Sequence, residues 1–275
     1  NPAYQSPEIL NRNPFLAASL LIGQGGTRTI SKIVPSFSFN TVDNPIFPTT
    51  GRRLTASFDF AGPGGDTFFI KPTIEGVGFW RLTPRMSVGS RAQFQYIRPY
   101  GDTKQLPIFE KLFMGGEYSI RGYDIRSVGP RDINSGIVLG GNKSMLFNAE
   151  YILQIAGPVR LVMFYDAGQV RDIGEKFGMM EDILQVVPPP QPLLIDPLAF
   201  TGFVDPNAPD ATTRSIGRQS AFKTSTGAEI RFFMPVLNVP FRLIFAYNPQ
   251  RGGVLRNNLT PAQKFQFRFA VGSTF

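Results

Sequence analysis

Alternation of apolar and polar side chains is the dominant pattern along the chain. Near the C-terminus, Phe265 and Phe267 fall on one parity, while Gln266 and Arg268 fall on the other. A period of two residues is typical of a β-strand that buries one face and exposes the other. The same pattern predicts nine strands and a weaker tenth. The nine are residues 31–40, 52–60, 68–80, 86–97, 143–154, 159–166, 221–233, 239–248 and 264–275, and the tenth is 15–22.

The lengths of the predicted strands and connectors favour a membrane-spanning β-barrel. Many strands have about 9–13 residues, which suits a strand that crosses a bilayer at a tilt and exceeds the usual length in globular proteins. Short turns on one side and long loops on the other are typical of an outer-membrane barrel. The short connectors are 44–51, 81–85, 156–158 and 235–239, 61–67 is intermediate, and the long ones are 98–142, 171–218 and 249–262.

Full charges lie on the polar parity of these strands, which favours a water-filled barrel interior over a dry core. Alternation by itself also fits a soluble β-sandwich with one face in water, and that alternative stays open here. The strand lengths, the unequal connectors and the aromatic last residue, Phe275, count against the sandwich. The charged residues on the polar parity are Arg91, Glu150, Asp166, Glu229, Arg231 and Arg268.

Composition excludes several other classes of protein. The chain has 275 residues, with 28 Lys and Arg against 20 Asp and Glu, a net charge of +8 and a mean hydropathy of -0.05. No apolar run reaches the roughly 18 residues of a membrane-spanning helix. The absence of Cys and His excludes disulfides, thiol catalysis, the commonest metal ligand and the commonest general base.

No motif for catalysis or for a cofactor stands out in the sequence. We find no phosphate-binding loop, no metal-ligand spacing and no nucleophile motif. The positive charge is not accompanied by a basic helix or by interleaved aromatic and basic residues, as nucleic-acid binding would require. We therefore predict that the protein is not an enzyme, has no cofactor and no metal, and has no nucleic-acid partner.

The long connector 98–142 carries the most informative motif. Residues 113–123 read Phe-Met-Gly-Gly-Glu-Tyr-Ser-Ile-Arg-Gly-Tyr. An Arg side chain is a permanent, planar cation with five donors, and a Gly beside it allows a tight turn. Apolar side chains on both sides of such a cation suggest that the arginine is enclosed by protein, although a solvated surface charge is the alternative. The motif residues are Gly115, Gly116, Ile120, Arg121, Gly122 and Tyr123.

At these residues the chain resembles the BamA-like family of outer-membrane assembly and secretion barrels. In that family a long surface loop folds back into the barrel and carries a hydrophobic–Arg–Gly–aromatic tip. Other stretches agree with the family in the same order, and the resemblance extends from about residue 30 to the end. These stretches are 48–51, 140–142, 164–168 and 267–275.

The resemblance implies partners for the loop arginine. Glu150 and Asp166 lie on adjacent predicted strands and share the inward parity. In the family, the loop arginine pairs with acidic residues at these two matching positions. The expectation is therefore that Arg121 clamps the loop inside the barrel through Asp166 and Glu150, by charge-assisted hydrogen bonds. Glu150 could alternatively be an unrelated charge of the barrel wall.

The resemblance also implies a role for the last strand. There, Phe265, Phe267 and Phe269 would face lipid or a lateral partner, and Gly272 would let the strand kink inward. The weakly paired seam would then open sideways and add a client strand to its free edge. Gly272 could instead be a packing position, and Phe275 could be a recognition tag for the protein's own assembly.

The fold expectation is an all-β, transmembrane antiparallel β-barrel with about ten strands present. Because family barrels are sixteen-stranded, the resemblance implies that residues 1–275 are a single outer-membrane barrel domain, namely the C-terminal portion. The first strands and the POTRA repeats would lie outside this chain. A small barrel that closes with ten strands is the alternative.

The predicted function is folding and insertion of β-barrel proteins into the bacterial outer membrane through the lateral seam. The expected partners are client outer-membrane β-barrel proteins, outer-membrane lipids and accessory assembly lipoproteins. A two-partner secretion pore of the same family is the main alternative, because it shares the loop motif. A passive porin is a weaker one, and a catalytic domain fused upstream would be needed for any enzymatic activity.

Overall fold

The chain folds into antiparallel β-strands. A computed structural model describes residues 28–103, 106–131, 136–187, 212–234 and 239–272, and it contains no helix there that is long and apolar enough to cross a membrane. The strands are β1 (Lys32–Ile33), β2 (Ser36–Asn40), β3 (Gly51–Ala61), β4 (Phe69–Thr83), β5 (Met86–Tyr96), β6 (Arg98–Pro99), β7 (Lys143–Ala156), β8 (Val159–Arg171), β9 (Met180–Val187), β10 (Thr212–Ser220), β11 (Lys223–Met234), β12 (Val239–Tyr247) and β13 (Phe265–Val271).

One large sheet contains all of these strands except β9 and β10. Its order is β1–β3–β4–β5–β7–β8–β11–β12–β13, with β2 also paired to β3 and β6 to β4. Along this order, paired strands are consecutive in the chain except at the steps β1–β3, β5–β7 and β8–β11, and every pair is antiparallel. Within the described residues, β13 pairs with β12 alone, so the sheet has a free edge there.

Each of the nine segments predicted from the alternation contributes to this sheet, although 31–40 is divided into β1 and β2, and 273–275 lie outside the described residues. The strands β7 and β8 extend beyond their predicted limits, to Ala156 and Arg171. The weaker tenth strand, at residues 15–22, lies outside the described residues. The prediction of an all-β antiparallel fold is confirmed.

β9 and β10 form a separate hairpin that lies almost entirely in residues 171–218, which the alternation predicts to be a connector. The two strands pair with each other, from Met180 opposite Ser220 to Val187 opposite Thr212. The sequence of β10, Thr-Thr-Arg-Ser-Ile-Gly-Arg-Gln-Ser, has only one large apolar residue. Backbone pairing can stabilise such a strand without an apolar face, so hydrophobic alternation could not reveal it.

The outward face of the sheet is apolar and exposed, as the parity predicts. Half of the surface of Met163 and Tyr165 on β8 is exposed, and so is half of Phe245 on β12. On β13, Phe265 is 70% exposed and Phe267 is 57% exposed. A belt of large apolar side chains facing outward suits contact with lipid rather than with water.

The inward face corrects the expectation of a water-filled interior. Glu150, Asp166, Glu229 and Arg242 all point inward, and all are buried. They are buried because the long connector between β5 and β7 lies over this face and brings its own side chains, including Arg121, against the strands. The interior beside these strands is therefore packed protein, and its charges must be paired.

A charge on the outward face should destabilise the sheet far more than a change of apolar shape. Near the centre of β8, Met163→Arg should lower the free energy of unfolding by about 2–4 kcal/mol if the site is close to the bilayer midplane. The volume-conserving control Met163→Leu should cost less than about 1.5 kcal/mol. Urea titration in lipid vesicles measures both values, and equal costs would contradict the lipid-facing assignment.

Candidate functional site

The long connector between β5 and β7 folds back onto the inward face of the sheet. Backbone hydrogen bonds tie Leu112 to Gly141 and Met114 to Val128, which draws the two arms of the connector together. The tip between these arms carries the motif. Ile120 and Tyr123 are fully buried there in an apolar cluster that also includes Leu146 of β7. Apolar burial on both sides of Arg121 therefore holds the tip against the sheet.

Arg121 lies at the centre of the site and forms a two-pronged contact with Asp166. Its Nε donates to Asp166 Oδ2 (2.8 Å), and its Nη2 donates to Asp166 Oδ1 (2.6 Å). The backbone N–H of Arg121 donates to the same carboxylate at 3.0 Å. Both side chains are 0% exposed. A planar fork that meets a carboxylate through two bonds fixes direction as well as distance.

Two further carboxylates share the remaining nitrogen of the guanidinium. Arg121 Nη1 donates to Glu150 Oε1 at 2.7 Å and to Glu229 Oε2 at 3.1 Å. The structure thus brings Arg121 together with Asp166 and Glu150, the two acids that the resemblance implied. It adds Glu229, whose inward parity the sequence predicts but whose contact with the loop it does not.

Glu229 links the loop to two strand arginines. Arg242 donates through Nε to Glu229 Oε1 (2.7 Å) and through Nη2 to Oε2 (3.0 Å). Arg231 donates to Glu229 Oε1 (2.5 Å) and to Glu150 Oε1 (2.6 Å). The network therefore contains three arginines and three carboxylates. Its formal charges balance, which is the condition for burying so many ions together.

The strand register shows why the extra carboxylate is needed. Arg231 on β11 is the direct partner of Arg160 on β8 and of Arg242 on β12, so three cations lie side by side across three strands. Like charges directly opposite each other destabilise a sheet. Glu229 is two residues before Arg231 and so points to the same face, where it offsets this repulsion. A charge row of this kind could have signalled Glu229 once the register was known.

Two neighbours orient the central pair further. The guanidinium of Arg121 lies over the ring of Phe164, with 3.8 Å between its central carbon and the ring centroid. Asn148 Nδ2 donates to Asp166 Oδ1 (2.7 Å) and to the carbonyl of Ser119 in the loop (2.8 Å). A cation over an aromatic face in a dry site adds to the attraction of the carboxylates.

Glycines allow the tip to approach the strands closely. Gly122 has φ of +82°, and a Cβ atom there would lie 2.6 Å from Ala246 Cβ and from Asn248 Oδ1. The carbonyl of Gly122 accepts a hydrogen bond from Asn248 Nδ2 at 2.9 Å. Gly115 and Gly116 also have positive φ, of +104° and +101°. These positions need glycine for both backbone conformation and space.

Tyr123 is fixed at the far side of the motif. Its hydroxyl donates to the carbonyl of Thr224 on β11 at 3.1 Å. Burial raises the pKa of the Tyr123 phenol, and the charge of Arg251 offsets that only in part. The hydroxyl therefore stays protonated and remains a hydrogen-bond donor to the Thr224 carbonyl.

The terminal strand places its aromatic residues outward and is also reached by the loop. Phe265, Phe267 and Phe269 are exposed on the outward face of β13, while Arg268 points inward. Gly272 follows the strand with φ of +108°. Phe275 lies outside the described residues.

Loop acids on both sides of the motif contact Arg268. The Arg268 guanidinium donates to Glu117 Oε1 (3.3 Å) and to Asp124 Oδ1. Burial acts to raise the pKa of Asp124, but the N–H of Asn257 and the charges of Arg268 and Arg256 outweigh it, so this pKa lies below its ordinary value. In the described ranges, no cluster of three or more His, Cys, Asp or Glu side chains could hold a metal ion.

Removing the loop arginine should destabilise the protein strongly. Arg121→Ala leaves buried carboxylates without their cation, and breaking a buried pair costs about 3–5 kcal/mol. The control is Arg81→Ala, whose ion pair with Asp43 is half exposed on the Arg side and should contribute less than about 1 kcal/mol. Urea unfolding followed by fluorescence of the single Trp tests this difference. Equal losses in the two variants would contradict a buried network.

Adding one methyl group at the tip should displace the loop. In Gly122→Ala the new Cβ meets Ala246 and Asn248, whereas Gly64→Ala is a matched control, because Gly64 has φ of +75° and nothing within 4 Å of the added atom. Both variants carry the backbone strain of a positive φ, so their difference isolates the clash. Limited proteolysis of the loop should be faster in Gly122→Ala alone, and equal rates would contradict the close approach.

Comparison with known proteins identifies the family. The model of the Omp85 superfamily domain matches residues 3–275. The outer membrane protein assembly factor BamA of Nitratidesulfovibrio vulgaris is 31% identical over 175 residues, which is 62% of this chain and 22% of the relative. BamA of Neisseria meningitidis is 30% identical over 141 residues, which is 48% of this chain and 18% of the relative. The chain thus spans about a fifth of the length of these curated relatives.

The fold has a solved counterpart. BamA from Haemophilus ducreyi lacking POTRA domains 1–3 matches with a TM-score of 0.60 and 20% identity, over 86% of this chain and 41% of that one. The predicted class, an outer-membrane β-barrel that resembles BamA, is confirmed, and so is the predicted location in the bacterial outer membrane. The packed loop motif, the antiparallel sheet and the match along nearly all of its length together show that the chain belongs to the Omp85 superfamily.

Proposed function

We propose that this chain is the barrel domain of an assembly factor that folds β-barrel proteins and inserts them into the bacterial outer membrane through a lateral seam. Two relatives at 30–31% identity are named outer membrane protein assembly factors, which supports this assignment. The proposal treats residues 1–275 as a single barrel domain, the C-terminal portion of a larger protein.

The observation that carries the proposal is the grip of three carboxylates on Arg121. Asp166, Glu150 and Glu229 come from β8, β7 and β11, so one loop side chain joins three strands of the sheet. The loop contacts β13 as well, through Arg268. A passive pore has no need for a loop fixed to the wall in this way, whereas a machine that works at the sheet edge needs a rigid support beside that edge.

Each part of the site has a role in this mechanism. Arg121 with Asp166 and Glu150 holds the loop, and the glycines at 115, 116 and 122 let the tip fit against the strands. The outward aromatic residues of β13 contact lipid or a client strand, and Gly272 allows the end of the strand to bend inward. Phe275 belongs to the same terminal segment in the proposal.

The work of insertion needs no chemical reaction in this proposal. A client strand that pairs with a free edge gains backbone hydrogen bonds, and its folding in lipid supplies the free energy. The partners are client outer-membrane β-barrel proteins and outer-membrane lipids, with accessory assembly lipoproteins as further candidates. The barrel then acts as a template and not as an enzyme.

Reconstitution of the intact protein into lipid vesicles tests the proposal. The wild type should accelerate the folding of an added, urea-unfolded outer-membrane porin, which a gel-mobility shift between folded and unfolded forms reports. Gly122→Ala should slow this folding at least several-fold, while Gly64→Ala should resemble the wild type. Both variants must be inserted into the vesicles to a similar extent.

The same vesicles separate the competing functions. Transfer of an exoprotein across the membrane without acceleration of porin folding would favour a secretion pore. Steady ion conductance without either activity would favour a passive porin. Either result would contradict the assembly proposal.

A further inference from the structure

The loop tip contacts the terminal strand through a residue outside the Arg–Gly motif. The hydroxyl of Tyr118 donates to the carbonyl of Val271, the last residue of β13, at 2.7 Å. Arg268, three residues earlier, reaches Glu117 and Asp124 on the two sides of the motif. Three loop residues thus hold two residues of β13, on one short stretch of strand.

The direction of the Val271 carbonyl shows which side of β13 Tyr118 contacts. In the β12–β13 pair, Val271 lies opposite Phe241, and the N–H of Gly272 donates to the carbonyl of Pro240 at 2.8 Å. This pattern makes Val271 a non-hydrogen-bonded position of the antiparallel ladder. Its carbonyl therefore points away from β12, toward the edge that the described part of the chain leaves free.

A strand that adds to a sheet edge must bond the edge carbonyls and N–H groups. Tyr118 already occupies one of these acceptors. The turn that follows is shaped around Tyr118 as well, since Gly272 has φ of +108° and a Cβ there would lie 3.3 Å from the Tyr118 hydroxyl. The loop is thus positioned to oppose strand addition at this end of β13.

We propose that Tyr118 is an edge cap, meaning that its hydroxyl occupies the Val271 carbonyl as a hydrogen-bond donor. A strand that pairs with β13 must displace this hydroxyl. Glu117, Asp124 and Arg268 hold the cap in place by tying the loop to the same strand. The assignment rests on the proposed function for the identity of the incoming strand, a segment of a client β-barrel protein. It makes Tyr118 a regulator of the edge and not part of the grip on Arg121.

The loop network supplies a second connection to the cap. Arg242, which binds Glu229, also donates to the carbonyl of Glu117 at 3.3 Å. Arg91 donates to the carbonyl of Tyr118 at 2.9 Å. Loss of the contacts that Arg121 makes with the strands should therefore loosen the cap as well, but it also removes the support that the loop gives to the sheet edge.

Hydrogen exchange on the intact protein in lipid tests the cap directly. Tyr118→Phe removes one hydroxyl and should raise exchange of the amides in 268–272 by roughly 3- to 10-fold, the factor expected for one lost hydrogen bond. Arg268→Gln should raise it at the same amides. Tyr165→Phe, on the outward face of β8, is the matched control and should change nothing there. Unchanged exchange in both Tyr118→Phe and Arg268→Gln would overturn the proposal.

A double variant tests the coupling. If Arg121 holds the cap in position, Tyr118→Phe should add little to the exchange already caused by Arg121→Lys, which keeps the charge but loses the fork. Independent, multiplicative effects of the two substitutions would contradict the coupling.

The folding assay separates this proposal from the proposed function. Tyr118→Phe should accelerate client folding relative to wild type, because the incoming strand no longer competes with the hydroxyl. Slower folding together with raised exchange would overturn the cap. If exchange rises but the wild type folds no client, the cap stands and the assembly function fails. If the wild type folds clients and exchange is unchanged, the assembly function stands and the cap fails.

Discussion

A guanidinium without access to water must find carboxylates, and the site depends on how Arg121 meets this demand. Its partners come from three strands, and each of those carboxylates would in turn be destabilising without a cation. The loop therefore cannot move away from the sheet without exposing or unpairing several buried ions. Packing of Ile120 and Tyr123 adds apolar burial to the same contact. The position of the loop and the structure of the sheet therefore depend on the same buried ion pairs.

The sheet meets two different environments, and each residue parity serves one of them. Outward side chains such as Phe245 and Met163 are large, apolar and exposed. Inward side chains carry charge, and the register places Arg160, Arg231 and Arg242 next to one another. Glu229 and Glu150 bind two members of this row, Arg231 and Arg242, while Arg160 lies over the ring of Phe47. The inward charged side chains are thus buried like those of an apolar core, and ionic contacts hold them there.

Much of the fold could be predicted from the sequence, because a strand between lipid and an ionic interior must alternate. The pairing of Arg121 with Asp166 and Glu150 could be expected from a motif and parity, but Glu229 could not. Its inward parity was evident, yet only the register shows that it lies beside Arg242 and within reach of the loop. The β9–β10 hairpin could not be predicted, because backbone pairing stabilises it with little apolar patterning. The burial of the inward face could not be predicted either, because alternation does not show that a loop distant in sequence covers that face of the sheet.

The chemical make-up of the ionic network has a consequence for control. It contains only guanidinium and carboxylate groups, and the chain has neither His nor Cys. His is the side chain whose ordinary titration falls between about pH 5 and 8, and Cys is the one that forms disulfides. Within this chain, mild acidification and thiol oxidation therefore have no group through which to loosen the loop. The contacts that hold the loop therefore keep their charges across that pH range and are insensitive to thiol chemistry, and a group that displaces the loop has to compete with them directly.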